Sequence, residues 1–397
     1  MSRHVLALVW LLHGCGTDEL TQPVTAGSGG SAVAPGTGGS GGAPATWSLT
    51  PPAEMPCGDG LQVDAPWPAA RRCNSRTSRS PFVGPPTAAV KWTRDIHASW
   101  VAVGADETLY VATDEGLSAL DGAGVAKWSS SVGSVESPPT ILRDGSVMVI
   151  AATKEGFFLH VVSPSGDDLW SRSGFYRGVL TVADDGTTYA PLRADAVAVV
   201  LADRSIPTII PIEDYVGLAL LPSGDLIGSP ETEPPISYAG LPTEPVGRLQ
   251  CRTPFGDWKW MAHVRCERLL VDGDGVTYCA DQGSTHAVDA SGQLLWTREG
   301  QLVAVTHAGT LVALVSKEVR SYRRDGTVAW RTPIDADSVF DAMVDGEDSV
   351  YVTTSKGIVA VTANGDIRWT MAGRALALGR DRTLYAQTPL GLTAVGP

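Results

Sequence analysis

Charged side chains are scarce in this sequence of 397 residues, at 18%, whereas glycine occurs 44 times and proline 27 times. A chain with so few charges and so many turn-forming residues does not form long solvent-exposed helices. The formal net charge of −13 at pH 7 argues against a nucleic-acid-binding surface, which needs a basic face. We therefore expect a monomer rich in turns with no nucleic-acid partner.

Common signatures of catalysis and metal binding are also absent. The sequence contains no phosphate-binding loop of the GxxxxGK[ST] type, no His-Glu-x-x-His and no Cys-x-x-Cys. Each of these patterns places the ligands of a phosphate or a metal ion at a fixed spacing. We accordingly assign no catalytic, cofactor-binding or metal-binding residue from the sequence.

Long apolar runs are missing as well, and the N-terminus has only the short one from Val5 to Leu12. A membrane-spanning helix needs about 20 apolar residues, so this run is typical of an export signal that follows a basic start. Leu12-His-Gly-Cys15 resembles the bacterial lipobox, which implies a signal peptide over residues 1–15 and lipid attachment at Cys15. Because Gly16 rather than aspartate follows, the resemblance implies the outer membrane; the alternative is an ordinary signal that ends near Cys15.

The residues after Cys15 divide into a tether and a lead-in segment. Residues 26–45 are almost entirely Gly, Ser, Ala and Pro, so we predict a flexible tether over 16–50. Cys57 and Cys73 lie in the lead-in segment, 51–85, and we predict that they form a disulfide in an exported protein. Cys266 and Cys279 lie on opposite arms of one predicted hairpin, but a bond between Cys251 and Cys266 is an open alternative.

A Gly-x-x-x-Trp motif recurs from residue 124 to residue 369. Its six copies end at tryptophans separated by 42, 90, 36, 34 and 39 residues, where 90 is about two periods. The copies are Gly124–Trp128, Gly166–Trp170, Gly256–Trp260, Gly292–Trp296, Gly326–Trp330 and Gly365–Trp369. Such a period, with strand-like residues between the motifs, is typical of a β-propeller with one four-stranded blade per repeat.

A second marker predicts the number of blades. Eight hairpin segments such as Asp185-Gly-Thr-Thr-Tyr189 recur at spacings of 38, 41, 38, 51, 34, 39 and 34 residues. The last period lacks a fourth strand, and residues 88–92 form a fourth strand with no blade before it. We therefore predict an all-β, eight-bladed propeller over 86–397, closed by the N-terminal strand. Tryptophans on the fourth strands should pack at the blade joints: Trp92, Trp128, Trp170, Trp260, Trp296, Trp330 and Trp369.

The repeats resemble those of the pyrroloquinoline-quinone-like propellers, whose pattern is roughly Ala-x-Asp-x-x-Thr-Gly-x-x-x-Trp. The segments 119–128 and 287–296 match it with one residue fewer in the turn, and 360–369 keeps the spacing without the aspartate. Residues 67–80 are similar to the Trp-Pro…Thr-Gly-x-Ser stretch before the first blade of that family, with Ser78 in the place of the glycine. The resemblance covers 67–397 and implies eight blades.

The family includes quinoprotein dehydrogenases, which hold the quinone and calcium in the channel, and non-enzymatic outer-membrane assembly lipoproteins. The enzymes are much longer, and many have adjacent cysteines, which this sequence lacks. The plan of this chain resembles the second branch, which implies a non-catalytic, membrane-tethered scaffold without a cofactor that binds an envelope protein or a glycan. The alternative is a dehydrogenase with quinone and calcium in its channel.

One aromatic group stands out as a candidate ligand surface. Trp258 lies beside Trp260, and Tyr238 belongs to a proline-rich insertion, 229–247, within the fourth blade. Aromatic residues are enriched in binding interfaces, and loops on a rigid scaffold often carry specificity. The alternative is that Trp260 packs between blades and Trp258 is its exposed neighbour.

Overall fold

The computed structural model describes residues 57–192, 196–211, 215–230, 249–281 and 283–397, which all belong to one compact unit, Trp47–Pro397. Its regular elements are 33 β-strands in eight antiparallel sheets. None of these described segments contains a helix of the length and hydropathy needed to cross a bilayer. The prediction of an all-β propeller with eight blades is confirmed.

The strands follow one another blade by blade. The N-terminal strand is β1 (Val90–Arg94). Blade 1 contains β2 (Trp100–Val103), β3 (Leu109–Thr113), β4 (Gly116–Leu120) and β5 (Ala126–Ser130). Blade 2 contains β6 (Ser134–Val135), β7 (Thr140–Ile141), β8 (Val147–Thr153), β9 (Gly156–Val162) and β10 (Asp168–Ser173). Blade 3 contains β11 (Thr181–Val182), β12 (Thr188–Leu192), β13 (Ala196–Val200) and β14 (Thr208–Pro211). Blade 4 contains β15 (Tyr215–Leu220), β16 (Leu226–Pro230), β17 (Leu249–Arg252) and β18 (Trp258–Ala262).

The remaining four blades are regular. Blade 5 contains β19 (Arg268–Val271), β20 (Thr277–Ala280), β21 (Ser284–Val288) and β22 (Leu294–Glu299). Blade 6 contains β23 (Gln301–Val305), β24 (Leu311–Val315), β25 (Glu318–Tyr322) and β26 (Val328–Pro333). Blade 7 contains β27 (Val339–Val344), β28 (Val350–Thr354), β29 (Gly357–Val361) and β30 (Ile367–Met371). Blade 8 contains β31 (Arg374–Leu378), β32 (Leu384–Thr388) and β33 (Gly391–Val395), with β1 as its fourth strand.

The ring closes through the pairing of β1 with β33. The two strands are antiparallel, with Trp92 opposite Ala394 and Arg94 opposite Leu392. This pairing supplies the last blade with its outer strand and leaves no half-built sheet at either end of the repeat array. The closure predicted from the sequence is confirmed.

Two blades depart from the regular pattern. The innermost strand of blade 2 is split into β6 and β7, which both pair with β8. In blade 3 the fourth strand is β14, so the segment Arg204-Ser-Ile-Pro207, which stands in the place of the tryptophan strand in the sequence, precedes that strand. Ile210 of β14 replaces the missing tryptophan at the next joint, where it packs against Gly256.

A small residue lies between an aromatic pair in four of the blades. Tyr110, Ala119 and Trp128 face one another on three consecutive strands of blade 1. Because alanine leaves space above it, the two rings meet over it, with centroids 6.0 Å apart. The same row occurs in blades 5, 7 and 8, at Tyr278–Ala287–Trp296, Tyr351–Ala360–Trp369 and Tyr385–Ala394–Trp92. This contact explains the alanine at the start of the repeat pattern.

Four outer-strand tryptophans also pack against a glycine turn of the next blade. A Cβ added at Gly166 would lie 2.8 Å from the indole of Trp128 of the preceding blade, and the Trp128 Nε1–H donates to Pro164 O at 2.7 Å. Equivalent packing joins Gly124 to Trp92, Gly292 to Trp260 and Gly365 to Trp330. These glycines have φ between 75° and 97°. The glycine therefore permits both the turn and the seat of the neighbouring tryptophan.

We call a turn glycine that packs against a tryptophan of the preceding blade a seat glycine. Replacing a seat glycine should lower the free energy of unfolding more than replacing a turn glycine with free space around it. In Gly292→Ala the new Cβ meets Trp260 at 2.6 Å, whereas nothing lies within 4 Å of the position in Gly224→Ala, although the φ values, 88° and 81°, are alike. Both variants carry a left-handed backbone strain of about 1–2 kcal/mol. Only in Gly292→Ala should the free energy of unfolding fall by a further ~1–3 kcal/mol, because the new methyl group overpacks the joint. Denaturant unfolding of the two variants measures the difference. Equal losses in the two variants would contradict the seat.

Candidate functional site

The lead-in segment, which the structure describes from residue 57 to residue 85, runs across one end of the central channel. It contacts the inner strand of seven blades, and in blade 8 it contacts Arg380, two residues beyond the inner strand. Its backbone pairs with Val103 of β2 and Val344 of β27, in both cases through reciprocal hydrogen bonds. Further contacts reach the other blades: Pro68 to Ile141, Asn74 to Val182, Arg76 to Leu218, Ser75 to Val271, Thr77 to Val305 and Asp64 to Arg380. The propeller therefore carries its own channel plug.

The plug uses unusual backbone conformations to make these contacts. Asp64, Arg71, Arg72, Arg76 and Ser78 all have positive φ, between 53° and 75°. Such conformations are strained for residues with a side chain, and they persist where surrounding contacts determine them. Ser78, with φ of 54°, stands where the family pattern has glycine. Its carbonyl accepts the hydrogen bond of the Val344 N–H at 2.8 Å.

Above the plug, the channel forms a cavity of about 380 Å³. Its floor includes Ala69 and Arg76 of the lead-in segment, and its walls include Trp100, Phe340 and Arg374 from the first residues of inner strands. Because the lead-in segment contacts the opposite ends of these strands, the cavity lies towards the face that carries the connections between successive blades. Strands β16 and β17, which flank the insertion, end and begin at that same face.

Three arginines line this cavity in an acidic protein, Arg71, Arg76 and Arg374, and a fourth, Arg268, is paired with Asp341 in its wall. Arg268 donates to Asp341 Oδ1 at 2.8 Å, and Arg71 lies 3.8 Å from Asp341 Oδ2. Arg374 donates to the carbonyl of Ser99 at 2.7 Å, and Arg76 donates to Leu218 O and Thr181 Oγ1. We call Arg71, Arg76, Arg268 and Arg374 the channel arginines; within the described residues that line this cavity, Asp341 is their one carboxylate partner.

Burial lowers the pKa of three of these arginines. Burial, with a further contribution from Arg71, lowers the pKa of Arg76 to about 9. Burial and the charge of Arg71 lower the pKa of Arg268 to about 10, although Asp341 opposes the shift. Burial also lowers the pKa of Arg374. Burial therefore disfavours the charged form of these arginines, and an anionic group that entered the cavity would stabilise it.

The donor set does not fit a calcium ion. Ca²⁺ takes six to eight oxygen ligands, mostly carboxylates and carbonyls. Asp341 is the one carboxylate at the cavity in the described ranges, and it is already paired with Arg268 and Arg71. Nowhere in those ranges do three or more His, Cys, Asp or Glu side chains gather in a metal-binding arrangement. The quinone-and-calcium pair of the dehydrogenases therefore lacks its metal ligands here.

The cysteines lie away from the cavity. Cys57 is bonded to Cys73 within the lead-in segment, and Cys266 is bonded to Cys279, which lies on β20. The alternative bond between Cys251 and Cys266 is not formed, and Cys251 is a free, buried thiol. Cys251 lies between Ile227 and Trp260 on neighbouring strands, the position that alanine takes in four other blades.

The aromatic candidates are not brought together at the cavity. Trp258 is 55% exposed on β18, the outermost strand of blade 4, and the guanidinium of Arg252 lies 3.9 Å from its ring centroid. Trp260 packs against Gly292 and donates to Ala290 O at 2.9 Å. Trp369 donates to Pro85 O of the lead-in segment at 3.1 Å, and Trp296 to Arg324 O at 2.9 Å. Cys15 and Tyr238 lie outside the described residues.

The channel arginines were not identified from the sequence. One signal was available: residues 71–79 contain four arginines within nine residues of an otherwise acidic chain. Arg268 and Arg374, by contrast, lie far along the chain at the first positions of β19 and β31. The closing of the ring brings them together, and no local pattern marks them.

Comparison with known proteins supports the fold. No protein-family model and no curated protein matches the chain. Among solved structures, it is similar to BamB from Moraxella catarrhalis, with 13% identity over 77% of this chain and 99% of BamB and a TM-score of 0.54. It is also similar to quinohemoprotein alcohol dehydrogenases from Comamonas testosteroni and Pseudomonas putida HK5. The Comamonas enzyme is 12% identical over 85% of this chain and 78% of its own, with a TM-score of 0.58. The Pseudomonas enzyme is 12% identical over 82% of this chain and 75% of its own, also with a TM-score of 0.58.

Proposed function

We propose that the protein is a membrane-tethered, non-catalytic propeller lipoprotein that serves as a binding or assembly scaffold in the cell envelope. The observation that carries the proposal is the channel itself. Its own lead-in segment closes one end, and the remaining cavity offers arginines rather than the oxygen ligands of a cofactor metal. The two disulfides accord with an exported protein.

The partner is proposed to be an envelope protein with an acidic segment. Arg268 and Arg374 lie at the ends of inner strands that face the blade-connecting loops, so a partner bound to those loops would reach them. Guanidinium groups pair with carboxylates through two parallel hydrogen bonds, which favours an acidic peptide over a neutral glycan. The structural similarity to BamB extends over 99% of the BamB chain and is compatible with this function.

The competing function is a quinone-dependent dehydrogenase, which the structural likeness to two such enzymes favours. Purified protein supplied with pyrroloquinoline quinone and calcium should reduce no dye with alcohols or sugars, because Asp341 is the single carboxylate at the described part of the cavity. A quinohemoprotein alcohol dehydrogenase assayed in parallel is the positive control. Turnover that requires both additives and is abolished in Asp341→Asn would overturn the scaffold proposal.

The tether is proposed to be anchored at Cys15. The variant Cys15→Ser should move the protein from the membrane pellet to the soluble fraction and remove the mass of the lipid, since a thioether cannot form on serine. The variant Gly16→Asp should keep the lipid and shift the protein to the inner-membrane fraction. Unchanged fractionation and mass in Cys15→Ser, measured by sedimentation and mass spectrometry, would show that the anchor is elsewhere or absent.

A further inference from the structure

The joint between blades 2 and 3 departs from the repeat at several positions at once. In blades 1, 5, 7 and 8 a row of Tyr, Ala and Trp crosses the last three strands. In blade 2 the same row consists of Met148, Val161 and Trp170. Methionine has no hydroxyl, and it does not fill the volume of a tyrosine ring.

Methionine also lacks the hydroxyl that bonds to the first hairpin in two of the other blades. In blade 5 the Tyr278 hydroxyl donates to Asp272 Oδ2 at 2.9 Å, and in blade 7 the Tyr351 hydroxyl donates to Asp345 Oδ2 at 3.0 Å. Each bond ties the tyrosine to the turn of the first hairpin of its blade. Met148 has no hydroxyl and makes no such bond in blade 2.

A third departure is on the facing turn of blade 3. There the Arg204 N–H bonds to Leu201 O at 2.8 Å, as the Gly124 N–H bonds to Asp121 O at 2.8 Å in blade 1. Arg204 thus occupies the seat-glycine position, with φ of 70°. Six other turns of the ring place glycine there: Gly124, Gly166, Gly256, Gly292, Gly326 and Gly365. A strained arginine in place of an available glycine points to a role beyond the fold.

These departures border one cavity of about 460 Å³ between blades 2 and 3. We call it the blade 2–3 pocket. Its apolar wall is formed by Leu142, Met148, Leu201 and Ala202, and Arg204 lies at its edge. The volume falls in the range of pockets that hold small molecules. Met148 and Arg204, two of the residues that break the repeat, both line it.

The guanidinium of Arg204, unpaired among the described residues, indicates the kind of ligand. Three other ionisable groups border the pocket, and each has a local partner. Asp144 accepts from Ser146 at 2.9 Å, Asp185 accepts from the Thr187 N–H at 2.8 Å, and Arg143 lies 3.7 Å from Asp59. The Arg204 side chain has no hydrogen bond or ion pair within the described residues. An unpaired guanidinium at the edge of an apolar cavity is complementary to an anionic head on an apolar body.

We propose that the blade 2–3 pocket binds a small amphiphile, with an aliphatic chain against Leu142, Met148 and Leu201 and a carboxylate paired with Arg204. This binding site is separate from the channel cavity, and it does not depend on the scaffold function.

The test uses decanoate below its micellar concentration, with decylamine as the probe of opposite charge. Isothermal titration calorimetry should detect decanoate binding to the full-length protein and at least tenfold weaker binding of decylamine. The Met148 methyl resonance should shift on addition of decanoate, which locates the ligand. Equal affinity for the two probes, no binding of decanoate, or binding without a shift of Met148 would overturn the proposal.

Three variants separate charge, strain and volume. Arg204→Asn removes the guanidinium but tolerates positive φ, so it should weaken decanoate binding at least tenfold without lowering the melting temperature. Arg204→Gly restores the repeat glycine and should raise the melting temperature while weakening decanoate equally. Met148→Tyr should fill the pocket and abolish binding with Arg204 intact. Arg323→Gln, an exposed arginine on the corresponding turn of blade 6, should bind as the wild type. Undiminished binding in Arg204→Asn would contradict the assigned role of Arg204.

Discussion

The seating of a tryptophan against the glycine turn of the next blade is the contact on which the ring depends. It requires glycine for two reasons, the positive φ of the turn and the space for an indole. The indole N–H then bonds to a carbonyl of that same turn in several joints, such as Trp92 to Gly122 and Trp260 to Ala290. At four joints this contact runs from the outer strand of one blade to the turn of the next, and it fixes the two blades against each other. Where the glycine is replaced, at Arg204, a cavity opens.

The lead-in segment forms hydrogen bonds with the inner strands of the blades. Inner strands are sheet edges that face the channel, and their unpaired backbone groups need partners. The lead-in segment supplies them from Trp67 to Ser80, with Arg76 and Arg79 reaching further carbonyls at Leu218 and Thr306. Its Arg71 and Arg76 line the remaining cavity together with Arg374 and contribute to its positive charge. The same segment thus closes the channel and determines which ligands the open end accepts.

The fold was predictable because its signals are local. A glycine four residues before a tryptophan and a turn before a β-branched run both act within one hairpin, so their period gives the blades and the closure. The plug was not predictable, since Ser78 pairs with Val344, which is distant in sequence, through backbone atoms that any residue has. The sequence Arg204-Ser-Ile-Pro207 already marked blade 3 as irregular. The position of Arg204 in the place of a turn glycine became clear only from its φ of 70° in the structure. Cys251 was likewise ambiguous until its neighbours Ile227 and Trp260 were known.

The central claim is that the lead-in segment is an integral part of the ring and closes its channel. Amide hydrogen exchange at Val103, Val271, Val305 and Val344, whose N–H groups donate to lead-in carbonyls, tests it most directly. These amides should exchange as slowly as those in the middle strands of the blades, through global unfolding. Exchange at the rate of exposed loop amides, with the middle strands still protected, would show that the segment leaves the channel open and would contradict the account.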